Sequence, residues 1–184
     1  MAVSLRHLLA AATGLAVLVS VLAVTLTSWG DTNWGVADSG PELGAEPPSF
    51  ALPVVANGEG VLTLAETRGH PLVVEVFASW CKYCGQASAT VVAAAQAARE
   101  TEVRFVGVSL DEHPWQAAEV ARDWELPYEI LHDDGTVTRG WGISALPTVI
   151  VIDAEGRVRH VLDEAPSPYQ LERCLRDVGA RRTR

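Results

Sequence analysis

Two cysteines three residues apart, Cys81 and Cys84, stand between an apolar run at 72–78 and an alanine-rich run at 86–99. Two thiols at such a strand-to-helix junction can open and close a disulfide. The nucleophile in that chemistry is a thiolate, and an ordinary cysteine is only roughly 3% ionised at pH 7. The first turn of a helix supplies what the anion needs, because its unpaired N–H groups and the positive end of the macrodipole both favour negative charge. The spacing therefore predicts Cys81 in the first turn as the attacking thiol. Cys84, one turn further in on the same face, is predicted to attack a mixed disulfide held on Cys81 and so to resolve it.

The rival reading of Cys-x-x-Cys is half of a zinc site, which closes with a second Cys or His pair at short spacing. The five histidines, at 7, 70, 113, 132 and 160, include no His-x3-5-His arrangement, and Cys174 stands alone. No metal site is expected, and no cofactor beyond the cysteine pair. Cys174 shares a helical face with Leu171, Leu175 and Val178, which reads as a buried, inert core cysteine. Lys82, the single lysine of the chain, either stabilises the neighbouring thiolate or points into solvent.

The elements that must position the pair follow from pattern. Residues 103–110 read as a buried parallel strand, 115–125 as a helix opened by Pro114, and 128–131 as a short strand. Residues 148–152 and 157–162 flank Asp153-Ala154-Glu155-Gly156, a four-residue loop suited to an antiparallel hairpin. A helix over 167–178 closes the chain, with Pro168 in its first turn and Gly179 at its end. The strand, helix, strand portion predicts a parallel crossover, and the order as a whole an α/β class with a central mixed sheet flanked by helices.

Ahead of this lies 8–27, free of charge and rich in Leu, Val and Ala. As a helix it would be about 30 Å long, the thickness of a hydrocarbon core. It reads as a transmembrane anchor rather than a cleaved signal peptide, because the run is long and ends without an Ala-x-Ala pattern. Arg6 and His7 precede it and Asp31 follows, which directs the rest of the chain out of the cytoplasm. The expected organisation is a cytoplasmic stub and anchor or signal segment over 1–29, a flexible linker over 30–46, one domain over 47–179 and a basic tail over 180–184. The net charge of −9 argues against nucleic-acid binding, which needs a basic surface.

Val73-Val74-Glu75-Val76-Phe77-Ala78-Ser79-Trp80-Cys81 resembles the thioredoxin active-site strand, and Ala145-Leu146-Pro147-Thr148 resembles that superfamily's cis-proline loop. Upstream, Pro48-Ser49-Phe50-Ala51-Leu52-Pro53, Leu62-Thr63-Leu64 and Gly69-His70-Pro71 resemble the N-terminal strand extension of the membrane-anchored TlpA, ResA and CcmG branch. The resemblance covers 47–178. It implies that Glu75 is a buried acid beneath the disulfide; such an acid, raised toward neutrality by desolvation, can take the proton of Cys84. Strand alternation supports this, since Glu75 shares a face with Val73 and Phe77. It also implies a cis Pro147 against the disulfide and a substrate strand on the Leu146 backbone, with Trp80, Lys82 and Tyr83 bordering the same groove. Trp141 reads as packing, with a place beside the groove as the alternative.

The chain departs from the branch at Ala87, where a glutamate is frequent, at Ala89, where a proline would kink the helix, and at Tyr83, where the proline between the cysteines is replaced. The resemblance implies a thiol–disulfide oxidoreductase that reduces protein disulfides, including those of apocytochromes c or copper-site proteins, with electrons from a membrane thiol reductase. The alternatives are an oxidant that introduces disulfides, a Cu(I) chaperone using both thiolates, and a thiol peroxidase of the neighbouring redoxin branch. The last requires Pro-x-x-x-Thr-x-x-Cys, which the residues before Cys81 do not match.

Overall fold

The strand that carries Glu75 is the apolar run itself, Leu72–Phe77, buried at all six positions. A run with no polar alternation is what a strand covered on both faces requires. The computed structural model describes residues 40–179, and among these the strands are β1 Ala51–Ala56, β2 Val61–Thr63, β3 Leu72–Phe77, β4 Arg104–Ser109, β5 Glu129–His132, β6 Thr148–Ile152 and β7 Val158–Leu162. The helices are α1 Cys84–Ala97, α2 Pro114–Asp123, α3 Thr136–Gly140 and α4 Pro168–Asp177. One sheet joins the strands in the order β2-β1-β5-β4-β3-β6-β7. The β3, β4 and β5 strands run parallel, and β6, β7 and β1 pair antiparallel to their neighbours.

Two apolar cores lie on the two faces. Val73, Phe77, Ile130, Val149 and Val151 pack under α1, α2 and α4, together with Cys84 and Cys174. Val74, Val76, Val106, Val108 and Ile150 pack on the other side with Phe50, Val137 and Trp141. Alternation along β3 thus decides which residues meet α1.

The fold is the expected thioredoxin-like α/β arrangement, with β1 and β2 as the N-terminal extension. The extension is added at the free edge of β5 through Val54 and Ala56. Helix α3 was not foreseen; five residues long, it follows Gly135 at φ 93° and is capped by Asp133, whose carboxylate accepts from the Val137 and Thr138 backbones. Helix α4 starts as its sequence predicts, with Pro168 in its first turn, and Ser167 and Gln170 form a capping box across it.

Residues 40–46, the end of the expected linker, are tied to the sheet. Gly40 N–H donates to the Gly142 carbonyl at 3.1 Å, Gly44 N–H to Val158 at 2.7 Å, and Val158 N–H to Ala45 at 2.9 Å. The expected membrane segment at 8–27 and the basic tail at 180–184 lie outside the described residues. Among the described residues no helix is long and apolar enough to cross a membrane.

Candidate active site

The chain leaves β3 at Phe77 and reaches α1 through two tight turns, in which Cys81 N–H donates to the Ala78 carbonyl at 3.1 Å and Cys84 N–H to the Cys81 carbonyl at 3.3 Å. These four-residue turns hold Cys81 ahead of the helix. It is therefore Cys84, not Cys81, that occupies the first helical position, with Tyr83 as the N-cap. The two sulfurs are joined in a disulfide, with 5.4 Å between the Cα atoms. Cys81 is half-buried, whereas Cys84 is fully buried among the apolar residues under α1. Of the two, only Cys81 reaches the surface.

Cys81 lines a groove of about 420 Å³ whose rim includes Trp80, Lys82 and Tyr83 on one side and Ala145 and Leu146 on the other. The Leu146–Pro147 peptide is cis. Trp80 and Tyr83 are among the most exposed large side chains of the described residues, at 68% and 58%. The Lys82 ammonium stands 5.2 Å from the centre of the Tyr83 ring, a cation–π distance that directs it along the rim. Trp141 is core: it is 1% exposed, packs on Phe50 and donates from Nε1 to the Pro48 carbonyl at 2.7 Å.

Behind the disulfide, Glu75 is fully buried on β3, flanked by Gly107 of β4 and Val149 of β6. Ser88 Oγ donates to its Oε1 at 2.6 Å, and the Tyr128 hydroxyl donates to its Oε2 at 2.6 Å. Burial pushes the carboxyl up to about 7, against the lowering effect of those two hydrogen bonds. Burial, and then the Glu75 charge, push the Tyr128 phenol upward as well, so it stays a donor. Ser88 lies four residues after Cys84 on α1 and hence on the same face one turn deeper. The acid sits under the helix that carries the second cysteine.

Neither Ser88 nor Tyr128 is signalled by a motif. Ser88 has a helical offset from Cys84 that would have suggested it; Tyr128 reaches Glu75 only because β5 lies two strands away. Gly107, between them, makes room: a Cβ there would meet Ile130 Cδ1 at 2.7 Å and Phe77 Cε1 at 3.0 Å, with the Tyr128 ring at 3.5 Å. Asn57, at φ 59°, holds the backbone around Tyr128 by donating from Nδ2 to the Leu126 and Tyr128 carbonyls at 2.7 and 2.9 Å.

Cys174 is 6% exposed within the core beneath α4, and burial pushes its thiol up. Among the described residues no cluster of three or more His, Cys, Asp or Glu side chains could hold a metal ion.

A half-buried cysteine disulfide-bonded to a buried one at a helix start, an acid beneath and a cis-proline loop beside it define a protein of the thioredoxin-like dithiol class. A model of the AhpC/TSA family matches residues 43–161, and the chain belongs to that family. The thiol:disulfide interchange protein DsbE of Allochromatium vinosum is 31% identical over 122 residues, spanning 65% of this chain and 66% of that protein. Thiol-disulfide oxidoreductase ResA of Bacillus thuringiensis subsp. konkukian is 24% identical over 139 residues, 74% of this chain and 79% of its own. The crystal structure of a thioredoxin-family thiol:disulfide interchange protein from Chlorobium tepidum TLS superposes with a TM-score of 0.65 at 24% identity, covering 77% of this chain and 99% of that one. The protein is a thiol–disulfide oxidoreductase of the DsbE and ResA type.

Proposed function

We propose that the protein is a membrane-tethered, extracytoplasmic reductant of protein disulfides. Cys81 attacks a substrate disulfide, one substrate sulfur leaves as thiol, and the other is held in a mixed disulfide. Glu75 then takes the proton of Cys84, Cys84 attacks the Cys81 sulfur, and the second substrate thiol leaves as the Cys81–Cys84 disulfide forms. The observation that carries the exchange step is the fully buried Glu75 carboxyl, bonded by Ser88 and Tyr128 beneath the helix of the buried cysteine, and the likeness to DsbE and ResA supports the reductant direction. A group poised there can accept a proton at neutral pH and return it when the disulfide is reduced again.

Trp80, Tyr83 and the Leu146 backbone form the groove that seats an extended substrate segment beside Cys81. The likeness to DsbE and ResA supports substrates among exported apocytochromes c or copper-site proteins, and re-reduction by a membrane thiol reductase. The uncharged run at 8–27 supports the tether.

The test is the reduction potential of the Cys81–Cys84 couple, measured against dithiol buffers by thiol trapping. A value near about −270 mV marks a reductant, and one near about −120 mV marks an oxidant and overturns the proposal.

A further inference from the structure

The reactive turn is held from below by a second buried carboxylate that the exchange chemistry does not use. Asp111, 3% exposed, stands two residues past the end of β4. Its Oδ1 accepts from the Ser79 N–H at 3.0 Å and from the Ser79 hydroxyl at 2.6 Å. Its Oδ2 accepts from the same N–H at 3.1 Å and from the Ser109 hydroxyl at 2.8 Å. The residue is itself fixed on both sides. Asp111 N–H donates to Ser109 Oγ at 3.1 Å, and the His132 ring is bonded through Nε2 to the Asp111 carbonyl at 2.9 Å.

We propose that Asp111 is a positioning residue that sets where the Cys81 sulfur stands in the groove. Ser79 is the last residue of the chain held by the sheet end before Trp80 and Cys81, and both of its donors end on this one carboxylate. With Ser79 pinned, the turn closed by Cys81 N–H on the Ala78 carbonyl can place the sulfur in one way relative to the Leu146 side of the groove. Released, the same turn can shift its sulfur by an ångström without any loss of the cysteine pair. Attack on a disulfide needs the three sulfurs in line, so a protein substrate seated on Leu146 and Trp80 feels that shift. A misplacement of about 1 Å costs up to about 10²-fold in rate. A small free disulfide can reorient to follow the sulfur.

The inference rests on the assignment of Cys81 as nucleophile. The experiment compares the full chain with Asp111→Ala and Asp111→Asn, reduced, against oxidised insulin and against 5,5′-dithiobis(2-nitrobenzoate), with rates expressed per folded molecule. Asp111→Ala is expected to lose about tenfold or more on insulin and less than about threefold on the small disulfide. Asp111→Asn keeps the Oδ1 contacts to Ser79 and is expected to recover insulin reduction to within about threefold of wild type. Equal losses on both substrates, or no loss on insulin, overturn the proposal. A wild-type protein that attacks neither disulfide would instead sink the assignment of Cys81.

Discussion

The two cysteines differ in exposure more than in sequence context, and this sets their expected behaviour under substitution. Cys81→Ser removes the half-buried sulfur and is expected to abolish turnover. Cys84→Ser leaves attack intact and is expected to accumulate mixed disulfides with protein substrates, visible on non-reducing gels; free turnover by either variant would reverse the assignment. Glu75 gives a pH signature. Its carboxyl is raised by burial from an ordinary 4.5 to about 7, so the rate of mixed-disulfide resolution is expected to rise with pH through about 7 as the base form appears. Glu75→Gln is expected to remove that inflection and about 10²-fold of the rate. Tyr128→Phe deletes a hydrogen bond that lowers the value and moves the inflection upward. The linkage to stability has a definite sign. The folded state holds the proton more tightly than the unfolded chain, so the stability carried by the neutral acid is fully present below pH 4.5 and lost as pH rises through about 7. The loss is roughly 3 kcal/mol. Urea melts from pH 5 to 8 are expected to show it in wild type and not in Glu75→Gln.

At the level of elements, the acid is supported across strands. Gly107 on β4, the register partner of Glu75, leaves room for Ile130 and Phe77 beside the Tyr128 ring, whose hydroxyl reaches Glu75 on β3 from just ahead of β5. Gly107→Ala sets a methyl against Ile130 and Phe77 at 2.7 and 3.0 Å. It is expected to cost about 1–3 kcal/mol by overpacking and to carry the Tyr128 hydroxyl away from Glu75, so that a lowered melting temperature and an upward-shifted resolution inflection appear together. A stability loss without the pH shift would mean that Tyr128 is not set by the packing at Gly107. Helix α1 runs as one helix from Cys84 to Ala97 through the Ala89 position. Strands β3 to β7 and the long helices were legible in apolar runs, turns and caps, and their ends agree with the patterns to within one or two residues, whereas β1 and β2 were expected only from the resemblance. The Cys81 turn was not legible, because a pair of four-residue turns and the first turn of a helix read alike in a sequence of this kind.

For the whole molecule, the domain reaches further toward the N-terminus than its composition suggested. Residues 40–46 are rich in Gly, Pro and Glu and carry no apolar period, yet three backbone hydrogen bonds fix them to β7 and to the loop at Gly142. Arg68 adds an exposed ion pair with Glu46 at 2.6 Å, worth little by itself. At about 1 kcal/mol per backbone bond, a fragment starting at residue 47 is expected to be about 3 kcal/mol less stable than one starting at residue 40. Its melting temperature should fall by several degrees at unchanged exchange activity; coincident melting curves would show that the segment adds nothing.

What the sequence determined by itself was local or rested on resemblance. The Cys81–Cys84 pair, the buried β3 run, the caps of α4 and the inert place of Cys174 follow from spacing and periodicity. The resemblance added Glu75 beneath the pair and Pro147 beside it. What only the tertiary structure decided was which distant side chains meet. Tyr128 arrives from 53 residues away to hold Glu75, Asp111 from 32 residues away to pin Ser79, and Trp141 turns from the groove to bury itself against Phe50 and Pro48. None of these partnerships has a period or a spacing. They exist because sheet register sets unrelated positions side by side, and because a buried polar group is tolerated only where some other part of the chain supplies its hydrogen bonds.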